Sequence, residues 1–208
     1  MSKSLRPLAC LGLVFLVGAL VGCGGTPPTK PGEVSPGLPT DTLPAPPKPP
    51  EGWSKFQGEG FSVNVPDVAK FKRTPNGEFA LPSNSWTNEV PPTPGQFHYS
   101  VTVDPLHAEG ANAETDKMRT ELKADPDKWW TARRKQMAET GEPIANDKRI
   151  PTPGGFGWRF THKFGNGQCA TGLAFTEKRV YRWMVMGEKQ PDENDPSVKA
   201  FFDSFRIE

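Results

Sequence analysis

Cysteine is scarce in this 208-residue chain, and its three copies stand apart: Cys10 and Cys23 near the start, Cys169 alone in the body. A domain holding only Cys169 has no internal disulfide, so a hydrophobic core must hold it together. Long apolar runs are equally few. The longest, Leu8 to Val21, has fourteen residues, short of the roughly 20 that a helix needs to cross a bilayer. An excess of either charge is missing too. Lys and Arg number 25 against 24 Asp and Glu; with Lys3 and Arg6 set aside, 23 face 24 from Cys23 onward. That balance argues against a nucleic-acid partner. The short basic run Arg133-Arg134-Lys135 lies among acids and reads as a solvated helix face.

Recognisable catalytic frames are absent as well. The three histidines, His98, His107 and His162, show no H-x-x-x-H spacing and no C-x-x-C accompanies them, so local spacing offers no metal site and no cofactor is expected. There is no G-x-S-x-G elbow, phosphate-binding glycine loop or framed carboxylate pair. "PDENDP", Pro191 to Pro196, lacks EF-hand spacing and reads as a turn followed by a helix cap.

What is present starts with an address. "MSKSLRP" carries two positive charges, the apolar run follows, and small residues end it at Gly22-Cys23, the layout of an export signal. Residues Leu20-Val21-Gly22-Cys23 resemble the lipobox of bacterial lipoproteins. The resemblance implies a diacylglyceryl thioether on the Cys23 sulfur, cleavage after Gly22 and acylation of the new amino terminus, an anchor that labelled palmitate would mark. Each buried CH₂ contributes about 0.8 kcal/mol, and two or more chains hold a protein on a membrane. Glycine rather than aspartate after Cys23 favours an outer membrane where one exists.

From Gly24 to Gly52 there are 29 residues, ten of them proline and five glycine. Such a segment buries too little apolar surface to offset its ordering entropy. It is expected to be a disordered, semi-extended tether reaching up to about 90 Å. "PAPPKPP", Pro44 to Pro50, has the alternative reading of a docking peptide. The expected organisation is therefore a signal peptide over 1–22, a lipidated, proline-rich linker over 23–52, and a single domain over 53–208.

Within that domain, Phe61, Val63 and Val65 alternate with polar residues after the turn Gly58-Glu59-Gly60, and Phe97, Tyr99, Val101 and Val103 do the same. Both runs read as strands with one apolar face. His98, on the polar side of the second, is expected at the surface. Asp125-Pro126 predicts a helix from Pro126 to Thr140, closed by Gly141, and Met118 and Leu122 suggest a helix before it. In Gly157 to Phe175, a two-residue turn at Asn166-Gly167 sets Phe164 opposite Cys169, His162 opposite Thr171, Phe160 opposite Leu173 and Trp158 opposite Phe175. "RVYRWMVMG", apolar on both faces, belongs in the middle of a covered sheet. Asp195-Pro196 caps a final helix carrying Val198, Phe201, Phe202 and Phe205.

These elements give an α+β domain, an antiparallel sheet with helices packed on its faces. Their order, with "GEGFSVNVP", "GFGWRF", "RVYRWMVMG" and "AFFDSFRI", resembles the PsbP-type fold over roughly Lys55 to Ile207. No functional residue of that family has a matching motif here.

Three functional readings follow. The first is a non-enzymatic envelope lipoprotein, anchored to the membrane on the exported side and binding or supporting another envelope component. The second is a cysteine-dependent hydrolase or redox enzyme with Cys169 as nucleophile and His162 as base, one ladder pair apart; an apolar setting raises a thiol pKa and opposes this. The third is a glycan or small-ligand binder using Trp86, which polar neighbours place in a loop. Trp129-Trp130 serve as core or as interface anchors.

Overall fold

The computed structural model describes residues 48–75, 84–88, 96–105, 113–152 and 155–208. The leader, Cys23, the tether before Lys48 and His107 lie outside the described residues. The local signals that needed no distant partner are realised closely. Helix α2 (Pro126–Glu139) starts at Asp125, whose carboxylate accepts from the Lys128 N–H at 2.9 Å, and ends before Gly141 at φ +84°. Helix α1 (Ala113–Ala124) precedes it. Helix α3 (Pro196–Ser204) is capped by Asp195, which accepts from the N–H groups of Ser197 and Val198. Proline stands at the start of both capped helices, where its missing N–H costs nothing.

The strands are β1 (Ser54–Gly58), β2 (Phe61–Val65), β3 (Lys72–Pro75), β4 (Asn84–Thr87), β5 (His98–Pro105), β6 (Ala145–Thr152), β7 (Gly155–Phe164), β8 (Gly167–Phe175), β9 (Arg179–Gly187) and β10 (Arg206–Ile207). Seven form one antiparallel sheet in the order β3-β4-β5-β9-β8-β7-β6, and three form a smaller one, β1-β2-β10. "RVYRWMVMG" is β9, inside the large sheet between β5 and β8, as its two apolar faces require.

Helices α1 and α2 lie on one face of the large sheet. Leu122, Trp130 and Met137 pack there on Trp158, Phe160, Phe175 and Val180. The other face carries Tyr99, Val101, Val103, Tyr181, Trp183 and Val185, and it is covered by Val198, Phe201, Phe202 and Phe205 around α3 and by Phe61, Val63 and Val65 of the small sheet. The result is an α+β domain of mostly antiparallel strands. No helix among the described residues is long and apolar enough to cross a membrane.

Three sequence expectations need correction. The β7–β8 hairpin turns at Gly165-Asn166, with Phe164 opposite Gly167, so His162 faces Cys169, Phe160 faces Thr171 and Trp158 faces Leu173. Gly165, at φ +57°, supplies the positive φ that a glycine-first two-residue turn demands. The slip is two residues, so every side chain keeps its expected face. Trp86 is not in a loop: it sits in β4, 6% exposed, edge-on to Phe61 at 5.1 Å. His98 does occupy the polar side of β5, but it is 2% exposed.

Candidate functional site

Strand β6 forms one edge of the large sheet, and its pairing with β7 is irregular between Ala145 and Lys148. Within that interval Asn146 adopts φ +51°, the sole left-handed non-glycine among the described residues. Asparagine tolerates this region better than most residues, and such conformations gather at functional sites. The Asn146 amide donates to Thr161 Oγ1 at 3.3 Å, and the Thr161 hydroxyl donates to the Ala145 carbonyl at 3.1 Å. The irregularity is thus pinned by side chains, and beside it lies a cleft of about 440 Å³ lined by Asn146, Lys148, Thr161, Gln190, Pro191, Asp192 and Glu193.

Lys148 and Glu193 in this cleft, and Arg159 beside it, are paired. Glu193 accepts from Lys148 Nζ at 2.6 Å and stands 3.4 Å from Arg159 Nε. Arg159, neighbour of Lys148 across the ladder, has only 10% of its side chain exposed and lies 4.0 Å from the Phe202 ring centroid, with Asp203 at 3.9 Å. Burial pushes its pKa down, and Glu193 and Asp203 act against that shift. The far wall is the turn before α3: the Asn194 N–H donates to Asp192 Oδ1, and the Asp195 N–H to the Asp192 carbonyl. "PDENDP" is accordingly a turn and a cap. Gln190 ties this turn to the sheet by donating to the Cys169 carbonyl at 3.2 Å. The cleft presents amide, ammonium and carboxylate groups at a sheet edge, a surface suited to polar or main-chain recognition.

The residues singled out from the sequence are distributed differently. Cys169 and His162 are brought together as direct cross-strand neighbours, closer than expected. Yet Cys169 is 0% exposed, and both His162 ring nitrogens have partners at 3.0 Å, the Lys163 carbonyl and the Thr171 hydroxyl. Burial lowers the His162 pKa, the Lys163 carbonyl opposes this, and Arg182 lowers it further. Trp129 and Trp130 join the core under α2: Trp130 stacks on Trp158 at 4.9 Å and donates to Asp147 Oδ2 at 2.7 Å, while Trp129 packs edge-on to Phe175. Arg134 and Lys135 are exposed and paired with Asp147 and Glu139, whereas Arg133 is half-buried. The cleft itself was missed. Its only linear signal is "AND", an asparagine flanked by small and acidic residues at the start of a polar strand.

No family model and no curated protein matches this chain. Among solved structures, a crystal structure of a Pseudomonas aeruginosa protein of unknown function is similar over 67% of this chain and 83% of its own, at 11% identity and a TM-score of 0.32. A likeness of that size carries no argument about activity.

Proposed function

We propose that this protein is a lipid-anchored component of a bacterial cell envelope, in which a PsbP-like domain on a proline-rich tether binds another envelope component and carries out no chemistry of its own. The observation that carries the binding role is the left-handed Asn146 at the irregular edge of β6, bonded to Thr161 beside the cleft. Irregular edges of this kind re-aim side chains next to binding sites. They also stop indiscriminate strand addition, since the ladder is broken at one end and Pro151 lacks a donor near the other. Anchoring is supported by the basic start, the short apolar run and Leu20-Val21-Gly22-Cys23.

Two measurements on the full chain test this. Labelled palmitate should enter the native protein and not Cys23→Ser; label that survives the substitution removes the anchor. A photo-crosslinking residue at Lys148 should trap a discrete membrane-associated partner, and Glu193→Lys should weaken the trapping. A product unaffected by Glu193→Lys, or no product at all, removes the cleft as the binding surface.

A further inference from the structure

The hydrogen bonds around the cleft fix which end of each amide is spent and which is left. The Thr161 hydroxyl has one proton and gives it to the Ala145 carbonyl at 3.1 Å, so Thr161 Oγ1 can only accept from Asn146. Asn146 therefore uses its Nδ2 on Thr161 and keeps Oδ1. Gln190 meets the Cys169 carbonyl at 3.2 Å, and because a carbonyl only accepts, Nε2 is spent there and Oε1 remains. Asp192 takes two hydrogen bonds from Asn194 on Oδ1, at 2.9 and 3.2 Å, which leaves its Oδ2. Among the described residues nothing donates to these three remaining oxygens.

Glu193 is a fourth acceptor group, and it already holds a cation. Its carboxylate stands 3.4 Å from Arg159, a largely buried side chain that is shared with Asp203 at 3.9 Å. The Lys148 ammonium, on a side chain 50% exposed, donates to it at 2.6 Å. An exposed ion pair of this kind contributes little to stability, so Lys148 is readily exchanged for another cation. The lining thus sets two amide oxygens and two carboxylates against one ammonium, a charge balance of −1 from one positive and two negative groups.

We propose that the cleft receives an arginine side chain of the partner protein, which takes the place of Lys148 on Glu193. This rests on the cleft being the binding surface. A surface rich in acceptors and poor in donors calls for a ligand that only donates, and the charge balance calls for a cation. Four acceptor groups exceed the three donors of an ammonium and fall within the five of a guanidinium. The guanidinium is also the more weakly hydrated of the two, so it leaves water more readily. A volume of about 440 Å³ lies within the rough 300–1,000 Å³ of ordinary ligand clefts. Lys148 is then a built-in competitor, covering Glu193 in the free protein and turning to solvent in the complex.

The test titrates the full chain in detergent with N-acetyl-arginine amide, following the side-chain amide signals of Asn146 and Gln190 by nuclear magnetic resonance. N-acetyl-citrulline amide, similar in shape and uncharged, is the control. Saturable shifts with the arginine compound and none with citrulline are expected, and N-acetyl-lysine amide should bind less tightly than arginine. Glu193→Gln and Asp192→Asn should each weaken binding about two- to fivefold, the range that an exposed charge pair supplies. Lys148→Ala should strengthen it by a similar factor, as loss of a competitor does and loss of a merely structural contact does not. Melting curves verify that each variant folds. Absent shifts, equal shifts with citrulline, lysine binding as tightly as arginine, or no gain in Lys148→Ala would each overturn the proposal. A partner trapped by crosslinking at Lys148 through a segment without arginine would overturn it too, while leaving the cleft as the binding surface.

Discussion

Trp183 and Phe205 lie face to face, ring centroids 4.0 Å apart and 7° from parallel, and so fasten the central strand β9 to the residue that ends α3. Phe205 also stacks on Phe61 of β2 at 5.8 Å and meets Tyr181 edge-on. Both sheets and the last helix converge on this ring. Phe205→Ala should therefore cost about 3–5 kcal/mol, read as a lower denaturant midpoint at constant slope. A loss no larger than that of a typical surface substitution would show that the small sheet holds without it.

Gly172 lies under the same indole. A Cβ there would sit 2.1 Å from Trp183 Cε2, so Gly172→Ala must displace the ring from its stack with Phe205. The expected result is a marked loss of near-ultraviolet circular dichroism together with a lower melting temperature. Gly141→Ala, with nothing within 4 Å of the added carbon but φ +84°, should be milder and leave the aromatic signal intact.

The two buried histidines give stability a definite pH dependence. Burial holds the pKa of His98 below the ordinary 6.5, and it does the same at His162, where Arg182 adds to the effect. Between the folded pKa and 6.5 the unfolded chain binds more protons than the folded one, so stability is full above 6.5 and is lost as pH falls through that window. Melting temperature, measured with a metal chelator present, should drop as pH falls from about 7.5 to about 5.5. His98→Gln should flatten that slope; an unchanged slope in the variant would show that His98 is not one of its sources.

Asp195 is a simpler case. Its carboxylate caps α3 and is held below the usual range first by the Ser197 hydroxyl, then by the N–H groups of Ser197 and Val198. Asp195→Ala should remove about 1 kcal/mol and Asp195→Asn much less, measured by equilibrium unfolding.

Cys169 provides a direct check on the enzymatic alternative. With Cys10 and Cys23 replaced by serine, iodoacetamide should leave the folded protein unmodified near neutral pH and label it fully in denaturant, because the thiol has no exposed surface. Rapid labelling of the folded chain would restore the nucleophile reading.

The sequence was most readable where structure depends on neighbours a few residues away. Asp125-Pro126 and Asp195-Pro196 announce their helices because a cap and its N–H partners lie within three residues. The β7–β8 hairpin was half readable: "GNG" offers both Asn166-Gly167 and Gly165-Asn166 as the turn, and the two frames differ by two residues, which preserves faces and changes partners. Strands β3, β6 and β10 carry little apolar alternation, since edges and short additions are defined by the strand they join. Trp86 and His98 misled for a common reason. Polar neighbours suggested water, but Ser85 and Thr102 bond to each other across buried strands at 3.0 Å. The alignment of His98, Met186, Cys169 and His162 across β5, β9, β8 and β7 depends on three pairings at once, and that of β5 with β9 joins distant parts of the chain.

The small sheet has a temporal meaning as well. Strand β2 pairs with β1 on one side and with β10 on the other, and the Glu208 N–H donates to the Gly60 carbonyl at 3.0 Å. A growing chain therefore carries β2 with one side open until Arg206 and Ile207 have been made, almost the whole domain later. Synthesis from the amino end cannot close this sheet before Arg206 and Ile207 are made, so these two residues act as its latch.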